Sequence, residues 1–186
     1  MNDLSLHILD IIQNSLSAGA SLIELTVWED LQHNLLTIII GDNGKGMTAE
    51  QAQHATDPYF TSRTTRKVGL GLPLYRQSAE QSNGALSISS APGKGTVISA
   101  TFQHDHIDRP PLGDVPNAVI LMVSANPHID FLFSYRYNTQ SYVFDTREIK
   151  EALDGLPLND VHIMRMLTEM IVENVRLTQE SINADE

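Results

Sequence analysis

The 186-residue sequence contains no cysteine and a single tryptophan. Without cysteine there are no disulfides and no thiolate metal sites. Cations are scarce as well: 12 Lys and Arg stand against 23 Asp and Glu, a formal net charge of -11. So acidic a chain is a poor match for a nucleic-acid backbone or an anionic membrane. No apolar run approaches the roughly 18 residues of a membrane span, and no basic segment followed by an apolar run opens the chain. These absences predict a soluble cytoplasmic protein with neither nucleic acid nor membrane as its partner. What is present is an ordinary apolar share, 41%, in a chain long enough for one domain and a small appendage.

Apolar residues at helical spacing (Leu4, Ile8, Ile11, Ile12, Leu16) predict a helix over 2–18 that stops at Gly19. Alternation over 22–28 and an apolar run over 35–40 predict two strands joined by a turn at 30–34. Thr48 caps a short helix over 48–56. A loop over 57–67 leads into a helix over 69–82, and strands over 85–91 and 96–103 flank a Pro-Gly-Lys-Gly turn. This order predicts an α+β fold, a two-layer sandwich with a mixed sheet and helices on one face. The Pro-rich stretch 108–113 suggests a division into 1–107 and a small C-terminal α+β module over 108–186. In that module a helix over 114–124, a hairpin over 131–145, and helices over 146–154 and 159–182 are expected. The last helix carries Ile163, Leu167, Met170, Ile171, Asn174, Val175 and Thr178 on one stripe. Such a stripe ordinarily packs inward, here onto the hairpin over 131–145; because so small a module gains little from its own core, part of it, with Met164 and Met166 beside it, is also expected to join a partner or a second copy of the chain.

The stretch GDNGKGM, residues 41–47, carries more than a turn needs. Asp42 ends an apolar strand, where it can accept a hydrogen bond from an amine, while Gly44 and Gly46 allow close approach of backbone to a flat ligand. Gly69, Leu70, Gly71 and Leu72 open a helix, whose first-turn amides and dipole attract phosphate. Arg63, Arg66 and Lys67 precede it, three of 12 cations within five positions. Asp10 and Asn14 lie one helical turn apart, on a face that Ile8 and Ile11 suggest packs inward. Buried there, an acid and an amide need partners, which a magnesium ion with phosphate oxygens supplies.

These boxes, in this order, resemble the GHKL superfamily of gyrase, heat-shock chaperone, histidine kinase and mismatch-repair ATPases. The resemblance covers about 4–102 and rests on DIIQN at 10–14, DNGKG at 42–46, DPYFTSR at 57–63, GLG at 69–71 and GKGT at 93–96. The segment DPYFTSRTTRKVGLGL is most similar to the catalytic domain of sensor histidine kinases. At closer range the whole chain resembles small stand-alone histidine-kinase-like ATP-binding proteins of anaerobic bacteria.

The resemblance implies a Bergerat-type ATP-binding fold and assigns roles by position. Asn14 coordinates magnesium and Asp10 is the catalytic acid/base. Asp42 accepts from the adenine amino group, with Thr96 in support, Gly44 and Gly46 beneath the base and Met47 beside it. Phe60 anchors the lid, Arg63, Arg66 and Lys67 contact phosphate, and Gly69, Leu70, Gly71 and Leu72 form the glycine-rich helix entry. ATP-hydrolysing members usually carry glutamate where this chain has Asp10. Histidine kinases also carry a phosphorylated histidine on a helical hairpin before this domain. Here His7 lies inside the first helix and reads as packed support, and the His104-Asp105-His106 triplet as a solvated strand end. The expected activity is therefore a Mg-ATP-dependent kinase or ATPase acting on a partner protein that holds the phosphoacceptor. The alternatives are a nucleotide switch without turnover and an inhibitor resembling the superfamily's anti-sigma members.

Overall fold

In the computed structural model, which describes residues 3–57 and 71–180, the chain forms six strands and six helices among the described residues. The first helix, α1 (Leu4–Ser17), starts at Asp3, whose carboxylate accepts the Leu6 amide and the Ser5 hydroxyl. It ends before Gly19, which takes φ +75. Strands β1 (Leu22–Asp30) and β2 (Leu35–Asp42) follow as an antiparallel hairpin. Helix α2 (Ala49–His54) begins with a reciprocal capping box between Thr48 and Gln51. Helix α3 (Gly71–Gln81) precedes β3 (Ala85–Ser90) and β4 (Thr96–Gln103). Then come α4 (Val115–Ala125), capped by Asp114, β5 (Asp130–Tyr137), β6 (Gln140–Asp145), α5 (Thr146–Ala152) and α6 (Val161–Glu180).

All six strands belong to one sheet in the order β3-β4-β2-β1-β5-β6. Every pairing is antiparallel except β1 with β5, which run parallel in the register Ile23 opposite Phe131 through Val27 opposite Tyr135. The sheet is thus mixed, as expected. Period-two alternation puts Ile23, Leu25, Val27, Leu36, Ile38 and Ile40 on one face, and α1, α3, α4 and α6 cover it. Each of these side chains contributes roughly 1.5–3 kcal/mol by leaving water. The opposite face carries Thr26, Ile39, Ser99 and Val97, and Arg136 lies 4.4 Å over the Trp28 ring.

The sheet and its core both run across the expected boundary at 107/108. Phe131, Phe133 and Phe144 share one buried cluster with Ile8, Ile38 and Phe102. The Pro-rich stretch is itself tied down, since Pro111 O accepts the Leu4 amide at 2.9 Å.

The stripe on α6 turns inward. Leu167, Ile171 and Thr178 are buried, and Ile163, Met164, Met170 and Val175 pack against the same core, while Met166 stays half exposed. This is the inward packing onto the hairpin that the stripe predicts: α6 covers the β5–β6 section, which has apolar side chains to hide. Gln179 reaches down to donate to the Tyr135 hydroxyl at 2.7 Å.

Candidate functional site

Asp42 is the last residue of β2 and lies directly opposite Thr96, the first of β4. Its side chain points to the helical face and is held on both oxygens. The Gly44 amide donates to Oδ1 at 2.9 Å, and the Ser15 hydroxyl of α1 donates to Oδ2 at 2.7 Å. Thr96 is anchored too: its Oγ1 is 2.9 Å from Ser90 Oγ, which donates to Gly95 O and accepts the Met47 amide. An aspartate and a threonine are thereby fixed side by side where the strands end.

The loop that follows is pinned on two sides. Asn43 turns away from Asp42, and its Oδ1 accepts the Ser21 and Leu22 amides at 2.8 and 2.9 Å. The Lys45 amide donates to Ala18 O, and Lys45 O accepts the Gly93 amide. This packing gives the glycines a steric reason of their own. A Cβ on Gly44 would lie 2.9 Å from Ala18 Cβ and from Ala18 O, and one on Gly46 would strike Ala91 O. Gly46 also sits at φ +67, and Gly95, at φ +79, would strike Asp42 O. These residues are small because backbone meets backbone around the loop.

Asp10 and Asn14 share a face of α1, as expected, but the face is exposed, not inward. The apolar arc of the helix runs through Leu4, Ile8, Ile11, Ile12 and Ser15, and Asp10 stands about 100° from Ile11 around the axis. Asp10 meets the start of α3: a Cβ on Gly71 would be 3.0 Å from its Oδ2. Two oxygen-bearing side chains one turn apart, open to solvent and beside a helix N-terminus, suit an oxygen-seeking cation that keeps waters and phosphate oxygens in its shell. Among the described residues no group of three or more His, Asp or Glu is placed to hold a metal ion. Leu72 is buried and Met47 half-buried. Phe60, Arg63, Arg66, Lys67, Gly69 and Leu70 lie outside the described residues.

An open space of about 510 Å³ lies between α2, α3 and β3, lined by Ala49, Ala52, Thr56, Arg76, Leu86 and Ile88 among others. Neither Asp10, Asn14 nor Asp42 lines it, so the site is identified by side-chain chemistry and not by volume.

His7 and His104 are both held by packing and hydrogen bonds. His7 is buried, stacks on Tyr75 at 4.9 Å, and has Nε2 3.4 Å from Ser78 Oγ. Burial, with the positive N-terminus second, holds its imidazole below the usual histidine range. The His104 region is more than a solvated strand end. His104 Nε2 lies 2.8 Å from Glu29 Oε2, and Glu29 Oε1 accepts the Tyr135 hydroxyl at 2.6 Å. Burial, reinforced by Glu29, pushes the Tyr135 phenol far up.

Ser15, Asn43 and Ser90 were not singled out from the sequence. Asn43 sits in the quoted loop, where its amide could have been read as a brace. The two serines gave no signal, because a lone hydroxyl on a helix or strand is ordinary.

Residues 2–106 match the family model described as histidine kinase-, DNA gyrase B- and HSP90-like ATPase. The chain is 42% identical over 62 residues to the sensor histidine kinase ZraS of Klebsiella oxytoca, covering 33% of this chain and 13% of that protein. It is 33% identical over 91 residues to the sensor histidine kinase YxdK of Bacillus subtilis, covering 46% and 27%. A putative NtrY-like sensor histidine kinase of Rickettsia conorii is 28% identical over 109 residues, covering 58% and 18%. The chain thus spans only a small part of these relatives' length. Among solved structures, the N-terminal domain of a DNA repair protein superposes with a TM-score of 0.54 at 16% identity, covering 77% of this chain and 52% of the other. That coverage exceeds the family stretch, so the likeness in fold takes in part of the C-terminal region. The mixed sheet under one layer of helices, the strand-end aspartate and the matched family model all agree: the chain belongs to the histidine kinase-, DNA gyrase B- and HSP90-like ATPase family, and carries its kinase-like ATP-binding domain.

Proposed function

We propose that the chain binds Mg-ATP with its adenine at Asp42 and Thr96, and uses it to phosphorylate, or otherwise regulate, a partner protein in a signalling pathway. The observation that carries this reading is the fixed Asp42 carboxylate, braced on both oxygens and set opposite Thr96. Asn14 is the side chain offered to magnesium, and Asp10 the carboxylate nearest the entry to α3. The ion, when bound, neutralises phosphate charge; the residues position and orient, which is most of what phosphoryl transfer asks of a protein. Arg63, Arg66 and Lys67 fit phosphate contacts by charge.

The C-terminal region supports a regulatory part in this reading. Helix α4 packs on α1, Gln13 Nε2 is 3.7 Å from Met122 Sδ, and the Asp130 amide donates to the carbonyl of Ser21, whose amide Asn43 braces. The same contacts favour the second reading, a switch that transmits nucleotide occupancy without turnover.

Calorimetry with Mg-ATP on the native chain and on Asp42→Asn tests the site. The variant keeps the shape but offers an amide where the adenine amine needs an acceptor, and should lose about 1–3 kcal/mol, roughly 5- to 150-fold in affinity. Unchanged affinity in a folded variant overturns the adenine assignment. Phosphate transfer from labelled ATP to protein, or ADP release on addition of a partner, favours the kinase or ATPase reading; binding with neither favours the switch.

A further inference from the structure

We propose that Ser15 is a positioning residue for base selection: by clamping the second oxygen of Asp42, it makes the site prefer a purine with a 6-amino group over one with a 6-oxo group. The inference rests on the nucleotide reading above and extends it to a residue on a different element.

The hydroxyl is placed where a helix gains nothing from it. Ser15 is only 3% exposed in the last turn of α1, where alanine would serve the helix better. A serine in that position ordinarily turns its hydroxyl back to a carbonyl of its own helix. Ser17, two residues on, does this, with Oγ donating to Gln13 O at 2.9 Å. Ser15 instead donates out of the helix, across to Asp42 on β2 at 2.7 Å.

The consequence is geometric. The last torsion of an aspartate is broad, so a single bond from the Gly44 amide to Oδ1 leaves the carboxylate plane free to swing about that contact. The Ser15 bond to Oδ2 closes the second point and fixes the plane. Each carboxylate oxygen has two acceptor positions, so each keeps one for a ligand. A carboxylate that cannot rotate presents a fixed acceptor: it pairs with an amino group and repels a carbonyl oxygen. Released on one side, it can swing away from the carbonyl or admit a bridging water, and discrimination falls. The same helix carries Asn14 one residue earlier, so the base acceptor and the side chain offered to magnesium are held by one rigid element.

The experiment measures dissociation constants for Mg-ATP and Mg-ITP, which differ at the purine 6-position, on the native chain, Ser15→Ala and Ser17→Ala. The native chain should prefer ATP. Ser15→Ala should lose roughly three- to tenfold of that preference, the weight of one buried hydrogen bond, mainly through weaker ATP binding. Its melting temperature should fall modestly, since losing the hydrogen bond to the Asp42 carboxylate outweighs the better helix propensity of alanine, while the variant stays folded. Ser17→Ala should keep the native preference. An undiminished ATP-to-ITP ratio in Ser15→Ala, or equal weakening of both nucleotides, overturns the inference and leaves the nucleotide reading standing. A native chain that binds neither nucleotide overturns both.

Discussion

Phe133→Ala tests whether the C-terminal strands and the nucleotide site share one folding unit. Phe133 is 1% exposed in β5, between Leu25 of β1 and Phe144 of β6. Truncating a phenylalanine so enclosed removes its transfer energy and leaves a cavity, about 3–5 kcal/mol together. For a chain of this length that corresponds to roughly 6–20 °C in melting temperature. The informative readout lies elsewhere, at Ile98, Ala100 and Phe102 of β4. These are three strand spacings from β5, about 14 Å, and the substitution touches none of their side chains directly. If sheet and core are cooperative, amide exchange at these positions in the variant should accelerate along with that of β5, by roughly two to nearly four powers of ten. Hydrogen exchange followed by mass spectrometry or NMR reads this directly. Unchanged protection in β4, with β5 and β6 exchanging freely, would refute the reasoning: the C-terminal part would then open on its own despite the shared sheet.

Asn14→Ala should weaken magnesium-dependent nucleotide binding more than binding measured in chelator, because the side chain is exposed and its loss leaves the core intact; equal losses in both titrations would make Asn14 merely structural. His7 carries a pH signature. Its folded imidazole is held below the ordinary value of 6.5, so on acidification the unfolded chain takes up the proton first and the native state loses stability as pH falls through about 6.5. His7→Phe keeps an aromatic ring against Tyr75 and removes the proton, so urea midpoints measured between pH 7.5 and 5 should fall less steeply than in the native chain; parallel curves would discount His7 as the source.

Local structure was legible wherever a local cause set it. The caps at Thr48 and Asp114, the turn at 92–95 and the hairpin of β5 and β6 follow from residues within a few positions of one another. What escaped was set by distant pairing. Nothing near Phe131 indicates that β5 lies parallel to β1, and without that the hairpin and α6 look like a separate small module instead of a continuation of the sheet. The inward expectation for Asp10 failed because one residue's step around a helix is enough to leave the apolar arc. At the site, Asp42 and Thr96 were read from motif resemblance and do stand opposite each other, whereas Ser15 and Ser90 act through single hydroxyls that only three-dimensional proximity makes meaningful. The sequence suggests ligand approach for Gly44 and Gly46; that Gly46 and Gly95 also have no room for a Cβ, against the backbone of Ala91 and Asp42, is set by loops distant in sequence.

The parallel seam between β1 and β5 also sets an order of events on the ribosome. Ile23 must wait for Phe131, more than a hundred residues later. At about 5–20 residues per second, that interval is roughly 5–20 s of synthesis. During it β1 can pair with β2 on one side, but its other edge and the α4-facing flank of α1 remain uncovered. Apolar strand edges left open for seconds are what other nascent chains pair with, so the half of the protein that matches the ATPase family leaves the tunnel first and stays the more vulnerable to aggregation until the last third arrives to close it.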